Sequence, residues 1–543
     1  MKKLLKRLCS AMVAAVMVMT MAPAAFAADG GAQFQNGPYL LAPKTNSMVV
    51  VWESTEKVSA TIAYGTDESK LCDPIKVEID ADAPDFKGSK MNLFHYKLDN
   101  LTPGTRYYYE VKLEGGATCK ASFKTLSENP DQIRLITLSD SHIFATRAEL
   151  DQAIKEFDPD LLLHCGDLVE GTGAQAEQFS FWFQGKVEND YIHSYPVVYS
   201  SGNHDQGGVY FDTYVYSIQD EEYGAEVEGD SSFNYAGLHI VTMNSNPWGL
   251  FQMNSEATGQ QADAATIKTI DNAMNWLKKD LATDAAKNAD FRLIFMHHPV
   301  SDAYTKRYIP AVIEPGKVDL LLSGHTHSYA RAVSSDPSVG AGTIYLTHQD
   351  ARTYNKKGDF FYITSTPGSG VLDVKNYGAT AAGQDSKVAN ETLVAKDKQQ
   401  LSWSDISITP NEVLYNGEVT VTAKVTNNGK GLAAAVIPVQ DNGKTRYLYQ
   451  FKDGVVTLDP GKSTTLTGTL RMESLGTHTL KLADKTATVN VKYRPATFDY
   501  TNIRTQQGNG ETSDMNSDIL HIKADIVNIG NDAGTGTAEF KVN

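Results

Sequence analysis

The sequence predicts a multidomain chain in which a central α/β domain is flanked by all-β sandwiches. Three observations lead to this. Short strand-like runs broken by turn signals fill residues 33–126, apolar strand runs alternate with helical patterns over residues 130–375, and alternating strand patterns return beyond residue 400. At 543 residues the chain is too long for one hydrophobic core. Its 41% hydrophobic and 21% charged residues are those of an ordinary folding chain.

Residues 1–27, MKKLLKRLCSAMVAAVMVMTMAPAAFA, have a basic start, an apolar middle and the small-residue ending Ala25-Phe26-Ala27. This is the pattern of a secretory signal peptide with cleavage after Ala27, so the expected location is secreted or cell-surface. Cys9 precedes the apolar run, which argues against a lipid-anchored cysteine. No other segment has the apolar length needed to span a bilayer. Cleavage would remove Lys2, Lys3, Lys6 and Arg7 from a chain already at formal charge −16, which disfavours polyanions, and no nucleic-acid partner is expected.

Residues 33–126 contain MVVVWES, ATIAYGT, FHYKLDNLTPGTRYYYEVKL and CKASFKT, whose alternation and turns suggest a β-sandwich. Cys72 and Cys119 fall together in it and could pair outside the cell, while Cys165, inside a Leu-rich run, reads as a buried free thiol. In the α/β region Leu150, Ile154 and Phe157 mark one helical face, and Ile267, Ile270, Met274, Leu277 and Leu281 mark another. Residues 376–400 are small, polar and aperiodic and read as a linker. A further β-sandwich is expected over 401–493. Its VTNNGKG is echoed by VNIGNDAG at 527–534, so 494–543 reads as a partial second copy.

Nine of the thirteen histidines lie between residues 140 and 327, and that concentration places the chemistry in the α/β domain. IRLITLSDSH ends in Asp140 and His142, LLLHCGD in Asp167, PVVYSSGNHD in Asn203, His204 and Asp205, FRLIFMHHP in His297 and His298, and VDLLLSGHTH in His325 and His327. Each cluster alone has an ordinary explanation as a turn or a hydrogen-bonded pair. Five at successive strand ends do not, because the C-terminal ends of neighbouring strands open on one cleft. Carboxylates and imidazoles gathered there are costly unless neutralised, and divalent metal does so.

The ordered set DxH, GD, GNHD, HH and GHxH resembles the calcineurin-like metallophosphoesterase superfamily. SSFNYAGLHIVTMNS, NWLKKDL and GHTHSYAR are similar to its purple acid phosphatase branch. So are GPYLL, MVVVWES, YGT and LTPGTRYYYEV, which resemble that branch's fibronectin type III-like N-terminal domain. The resemblance implies an α/β/β/α sandwich for residues 130–375 with fibronectin- and Ig-like sandwiches beside it. It implies two divalent metal ions, one on Asp140, His142, Asp167 and His327 and the other on Asp167, Asn203, His297 and His325. The donor types suit Fe, Mn, Zn or Co without choosing among them.

By the same resemblance a metal-bridging hydroxide attacks phosphorus, His204 contacts phosphate and protonates or stabilises the leaving oxygen, and Asp205 orients His204 or forms a turn. His298 is a candidate for a substrate contact or for a structural hydrogen bond. In two places the chain departs from the purple branch. That branch has a metal-binding tyrosine where Glu170 stands here, and its first motif lacks a histidine, so His142 replaces the tyrosine and Glu170 lies outside the metal shell. That branch also carries paired histidines after the fourth motif; Lys306 and Arg307 stand in that neighbourhood here, as contacts to an anionic substrate or as surface charge.

The function expected is a secreted dimetal phosphoesterase acting on small phosphate monoesters. Hydrolysis of cyclic nucleotides or other diesters is the alternative on the same ligands. A surface adhesion or carbohydrate-binding protein that keeps the fold is the alternative of another class, suggested by the C-terminal modules.

Overall fold

The computed structural model describes residues 31–541 apart from 81–84, 87–88, 143–149, 151–153, 155, 172–175, 186–189, 250–261, 303–304, 335–341, 350–358, 379–387, 396–399, 451–454, 508–519, 531 and 540. The signal-peptide pattern lies outside the described residues. Among those described, no helix is long and apolar enough to cross a membrane.

The chain folds as two compact units, one running through Asp397 and the other made of Lys398–Gly429 and the chain from Ala433. The first begins with a sandwich of a three-stranded sheet, in the order Phe34–Leu41, Met48–Ser54, Leu93–Leu98, and a four-stranded one, in the order Ile75–Val77, Ala60–Gly65, Arg106–Leu113, Thr118–Lys124. Met48–Ser54 is buried on both faces, which is why MVVVWES reads as a continuous apolar run rather than an alternation. Its Val50 and Trp52 enter the sandwich core. Val49 and Val51 join a second core with Phe179, Trp182, Tyr199 and Tyr214 of the α/β domain. Cys72 is exposed, Cys119 is buried, and both are free; Cys165 is a buried free thiol.

The α/β domain is two six-stranded mixed sheets. The first has the order Val197–Tyr199, Leu161–His164, Ile133–Leu138, Asp359–Ser365, Val371–Gly378, Val388–Ala395, with its first three strands parallel. The second runs Ser231–Tyr235, Leu238–Thr242, Phe291–Phe295, Leu320–Ser323, Ile344–Thr347, Ala330–Val333, with four parallel strands at its centre. The two parallel sets are the apolar runs of the sequence, buried on both faces.

Two sequence expectations need correction here. The segment 376–400 is not all linker, because Val388–Ala395 pairs antiparallel with Val371–Gly378 and extends the first sheet. In the helix Ala264–Asp280 the buried face is Ile270, Ala273, Trp276 and Leu277, whereas Ile267 is 46% exposed. Ile267 lies in the first turn of that helix.

The second unit has a three-stranded sheet (Leu401–Thr409, Glu418–Asn427, Ser463–Arg471) and a five-stranded one (Glu412–Leu414, Lys485–Lys492, Gly476–Leu482, Ile437–Asp441, Lys444–Leu448). Val419, Val421, Ala423 and Val425 alternate into the core. Phe498–Gln507 and Leu520–Asn528 then form an antiparallel hairpin. The repeated motif has a physical counterpart: Asn427 Oδ1 accepts the Gly429 N–H at 2.9 Å and Asn528 Oδ1 accepts the Gly530 N–H at 3.0 Å, the same turn at the end of both strands.

Candidate metal centre

Every motif residue stands just past the C-terminal end of a parallel strand. Asp140 and His142 follow Ile133–Leu138, Asp167 follows Leu161–His164, and Asn203 follows Val197–Tyr199, all in the first sheet. His297 follows Phe291–Phe295, and His325 and His327 follow Leu320–Ser323, in the second. The loops leave the strands in unusual backbone: Asp140, His142, Asp167, His325 and His327 all have positive φ, between 46° and 72°. Such conformations cost of order 1 kcal/mol each for non-glycine residues and persist where the surroundings enforce them. The motif glycines are needed for close approach. A Cβ on Gly202 would sit 2.2 Å from Asp167 Oδ1, and one on Gly324 would sit 1.8 Å from Ser139 Oγ.

Side-chain donors of Asp140, His142, Asp167 and His327 converge within 4.8 Å of one another. His327 Nε2 lies 3.1 Å from Asp140 Oδ1 and 3.4 Å from His142 Nε2. Beside this group, Asn203 Oδ1 lies 3.0 Å from His297 Nε2 and 2.8 Å from His325 Nδ1, and Asp167 Oδ2 lies 3.1 Å from His297 Nε2. Asp167 therefore belongs to both groups. Its other oxygen, Oδ1, accepts the His204 N–H at 2.8 Å.

The imidazoles are oriented from behind. His142 Nδ1 donates to Val169 O and His297 Nδ1 to Cys165 O, both at 2.9 Å, which leaves each Nε2 as a lone-pair donor toward the cluster. Burial lowers His142 and His325 below the ordinary histidine pKa. Burial works to raise Asp140 and Asp167, but the histidines around them hold both below the usual carboxylate range. Burial would lower His297 too, yet the Asp167 charge raises it to about 9. Ionised carboxylates, neutral imidazoles and one proton that a cation would displace are the states of a metal-ligand set. The residues thus fit a metal by number, donor type and tautomer.

Comparison with known proteins agrees. Residues 133–329 match the family described as calcineurin-like phosphoesterase, and residues 38–125 match the purple acid phosphatase N-terminal domain. Residues 133–329 form a calcineurin-like phosphoesterase domain. No curated protein sequence matches it. Among solved structures, this phosphoesterase is similar to one titled "Structure of PhoD", at 12% identity and a TM-score of 0.47, over 68% of this chain and 90% of that one. It is also similar to Vps29 complexed with Zn2+ from Entamoeba histolytica, at 11% identity and a TM-score of 0.25, over 49% and 100%. A protein serine/threonine phosphatase from Saccharomyces cerevisiae is similar at 10% identity and a TM-score of 0.23, over 48% and 84%.

At several residues the structure selects between the roles the sequence left open. Asp205 does not orient the His204 imidazole. Its carboxylate accepts the N–H groups of Gly202, Asp167 and Leu168, each at 2.8 Å, and so turns toward the backbone. The His204 ring is held instead by Gly171 O, 3.0 Å from Nδ1. His298 is wholly buried, with Nδ1 2.9 Å from Ser245 Oγ and its ring 4.5 Å from that of His325, so it stands behind the cluster rather than in a substrate cleft. Lys306 and Arg307 are exposed on the short helix Thr305–Tyr308. Glu170 Oε2 lies 3.3 Å from His142 Nδ1, on the side of that ring away from the other donors. Gln178, which no motif marks, accepts the N–H groups of Glu170 and Gly171 at 3.0 and 2.8 Å and shapes the loop that positions His204.

Proposed function

We propose that the phosphoesterase is an exported hydrolase of small phosphate monoesters that works with two divalent metal ions. The observation that carries the monoester reading is the match of residues 38–125 to the purple acid phosphatase N-terminal domain. Two features support its relevance to catalysis: the strand Met48–Ser54 of that domain shares a core with the α/β domain, and Tyr39 Oη donates to Tyr214 O at 2.8 Å. Export rests on the pattern of residues 1–27.

In this reading Asp140, His142, Asp167 and His327 hold one ion, and Asp167, Asn203, His297 and His325 hold the other, with Asp167 shared. When bound, the pair supplies a nucleophile at neutral pH and offsets negative charge on the phosphoryl oxygens. His204, half-buried beside Asn203, has Nδ1 engaged by Gly171 O, so Nε2 is the nitrogen available to meet the ester oxygen and hand it a proton. Asp205 fixes the loop carrying Asn203 and His204 by holding the backbone of Gly202 and Asp167.

The test is a comparison of kcat/KM for p-nitrophenyl phosphate, bis(p-nitrophenyl) phosphate and a cyclic nucleotide on metal-loaded protein. A higher value for the monoester is expected. A higher value for either diester overturns the monoester reading, and metal-loaded protein that turns over none of them favours the binding-protein alternative.

A further inference from the structure

The helix Ser217–Tyr223 and the turn after it bring together two carboxylates that take no part in the catalytic cluster. Asp220 Oδ2 accepts the Gly229 N–H at 2.6 Å, and the next residue, Asp230, accepts the Asn244 N–H through Oδ1 at 2.8 Å. One backbone donor thus fixes each carboxylate by a single oxygen. The remaining oxygens, Asp220 Oδ1 and Asp230 Oδ2, are buried and have no hydrogen-bond partner among the described residues. Asp230 is 0% exposed.

The charges acting on this pair are all acidic: Asp212 and Glu228 on Asp220, and Asp220 on Asp230. Burial first, and then these neighbours, push Asp220 up to about 7 and Asp230 well above its ordinary value. Protonation would neutralise the charge of one carboxyl at a time and would leave the other carboxylate buried beside it. A cation satisfies charge and lone pairs together.

We propose that Asp220 and Asp230 hold a hard divalent cation, with Ca2+ the fitting occupant, through these two free oxygens. Oxygen donors without imidazole or thiolate select Ca2+ or Mg2+ over the metals of the catalytic cluster, and an irregular turn suits the looser Ca2+ shell.

Such an ion would brace the catalytic loop from behind. Tyr216 Oη accepts the Ser201 N–H at 2.6 Å, and Asn246, two residues past Asn244, donates through Nδ2 to Ser201 O and Oγ at 3.3 and 3.0 Å. Ser201 precedes Asn203 by two residues. Gly229 lets the turn close: its φ is +77°, and a Cβ there would sit 2.5 Å from the Tyr216 ring.

The test uses full-length protein freed of Ca2+ and carrying its catalytic metal, with CaCl2 titrated up to about 10 mM, above the 10⁻⁴–10⁻³ M range of extracellular Ca2+ modules. Ca2+ is expected to raise the melting midpoint of the wild type saturably by a few degrees. Asp230→Asn and Asp220→Asn should each abolish that rise while keeping wild-type transition-metal content. Ca2+-free Asp230→Asn is expected to melt no lower than Ca2+-free wild type, because it removes an unpaired buried charge. Absence of a Ca2+-dependent rise in the wild type, or an equal rise in both variants, overturns the proposal. If Asp230→Asn does not fold, Asp220→Asn, which is less buried, decides the matter alone.

Discussion

Asp205 holds the backbone of Asp167. Its Oδ2 accepts the Asp167 N–H at 2.8 Å and the Gly202 N–H at the same distance, while Oδ1 accepts from Leu168. One fully buried carboxylate therefore fastens the GD loop to the GNHD loop, and the shared ligand Asp167 stands between them. Burial and the Asp167 charge push Asp205 up to about 7 in spite of these donors.

Asp205→Asn keeps the shape but replaces one acceptor oxygen by an NH2 group that faces N–H donors. Each orphaned buried N–H costs about 1–3 kcal/mol. The variant should lose about 2 kcal/mol or more of stability and bind metal more weakly, measured by denaturant unfolding and elemental analysis. Wild-type stability together with a changed leaving-group dependence would restore the role of orienting His204.

His204→Ala should keep full metal content and lower turnover by roughly 10²-fold or more, the usual scale of acid–base assistance. The loss should be smaller for nitrophenyl esters than for alkyl esters, because a good leaving group needs less help. Equal losses on both would make His204 a binder of phosphate instead of a proton donor.

Glu170 lies on the Nδ1 side of the His142 ring, and the Nε2 on its other side is what His142 offers to the cluster. His142→Ala should reduce metal content, while Glu170→Ala should leave it unchanged and alter activity only mildly. A neutral imidazole brings no compensating negative charge, so a divalent ion is favoured over ferric iron and the holoprotein should show no intense visible absorption. A strong charge-transfer band, or metal loss in Glu170→Ala, would contradict this.

Glu53 lies buried where the N-terminal sandwich meets the α/β domain, with Oε2 2.6 Å from Asn36 Nδ2 and 2.8 Å from Tyr214 Oη. Burial raises it above 4.5 against these two hydrogen bonds. An acid raised in the folded state contributes stability that is complete below the unfolded pKa of about 4.5 and is lost as pH rises through the folded value. Glu53→Gln removes the titration, so its melting midpoint should gain on the wild type as pH rises from 4.5 toward neutrality. A gap that stays constant or moves the other way would show that the carboxyl titrates without strain.

The five motifs were legible because each follows a doubly buried apolar strand, and the strand ends are where the fold gathers chemistry. The turn signature shared by Asn427 and Asn528 was legible for a similar reason, since it is written in adjacent residues. Which of its two expected roles Asp205 takes was not, because that depends on which way its carboxylate turns and not on its neighbours in sequence. Gln178 carries no local signal at all; only the packing of the helix Ala176–Phe183 brings its amide to Glu170 and Gly171. Val388–Ala395 looked like linker because a strand at a sheet edge is decided by the strand that offers it hydrogen bonds. The orphan oxygens of Asp220 and Asp230 are equally invisible in sequence, since burial defines them.

The central claim is that Asp167 is shared by two metal ions that act together, and the most direct test is the metal content and phosphatase activity of Asp167→Ala beside the wild type. Elemental analysis is expected to find two catalytic ions per wild-type chain, and loss of both, with loss of p-nitrophenyl phosphate hydrolysis, in the variant. Retention of two ions at wild-type affinity, or hydrolysis undiminished without them, would contradict the account.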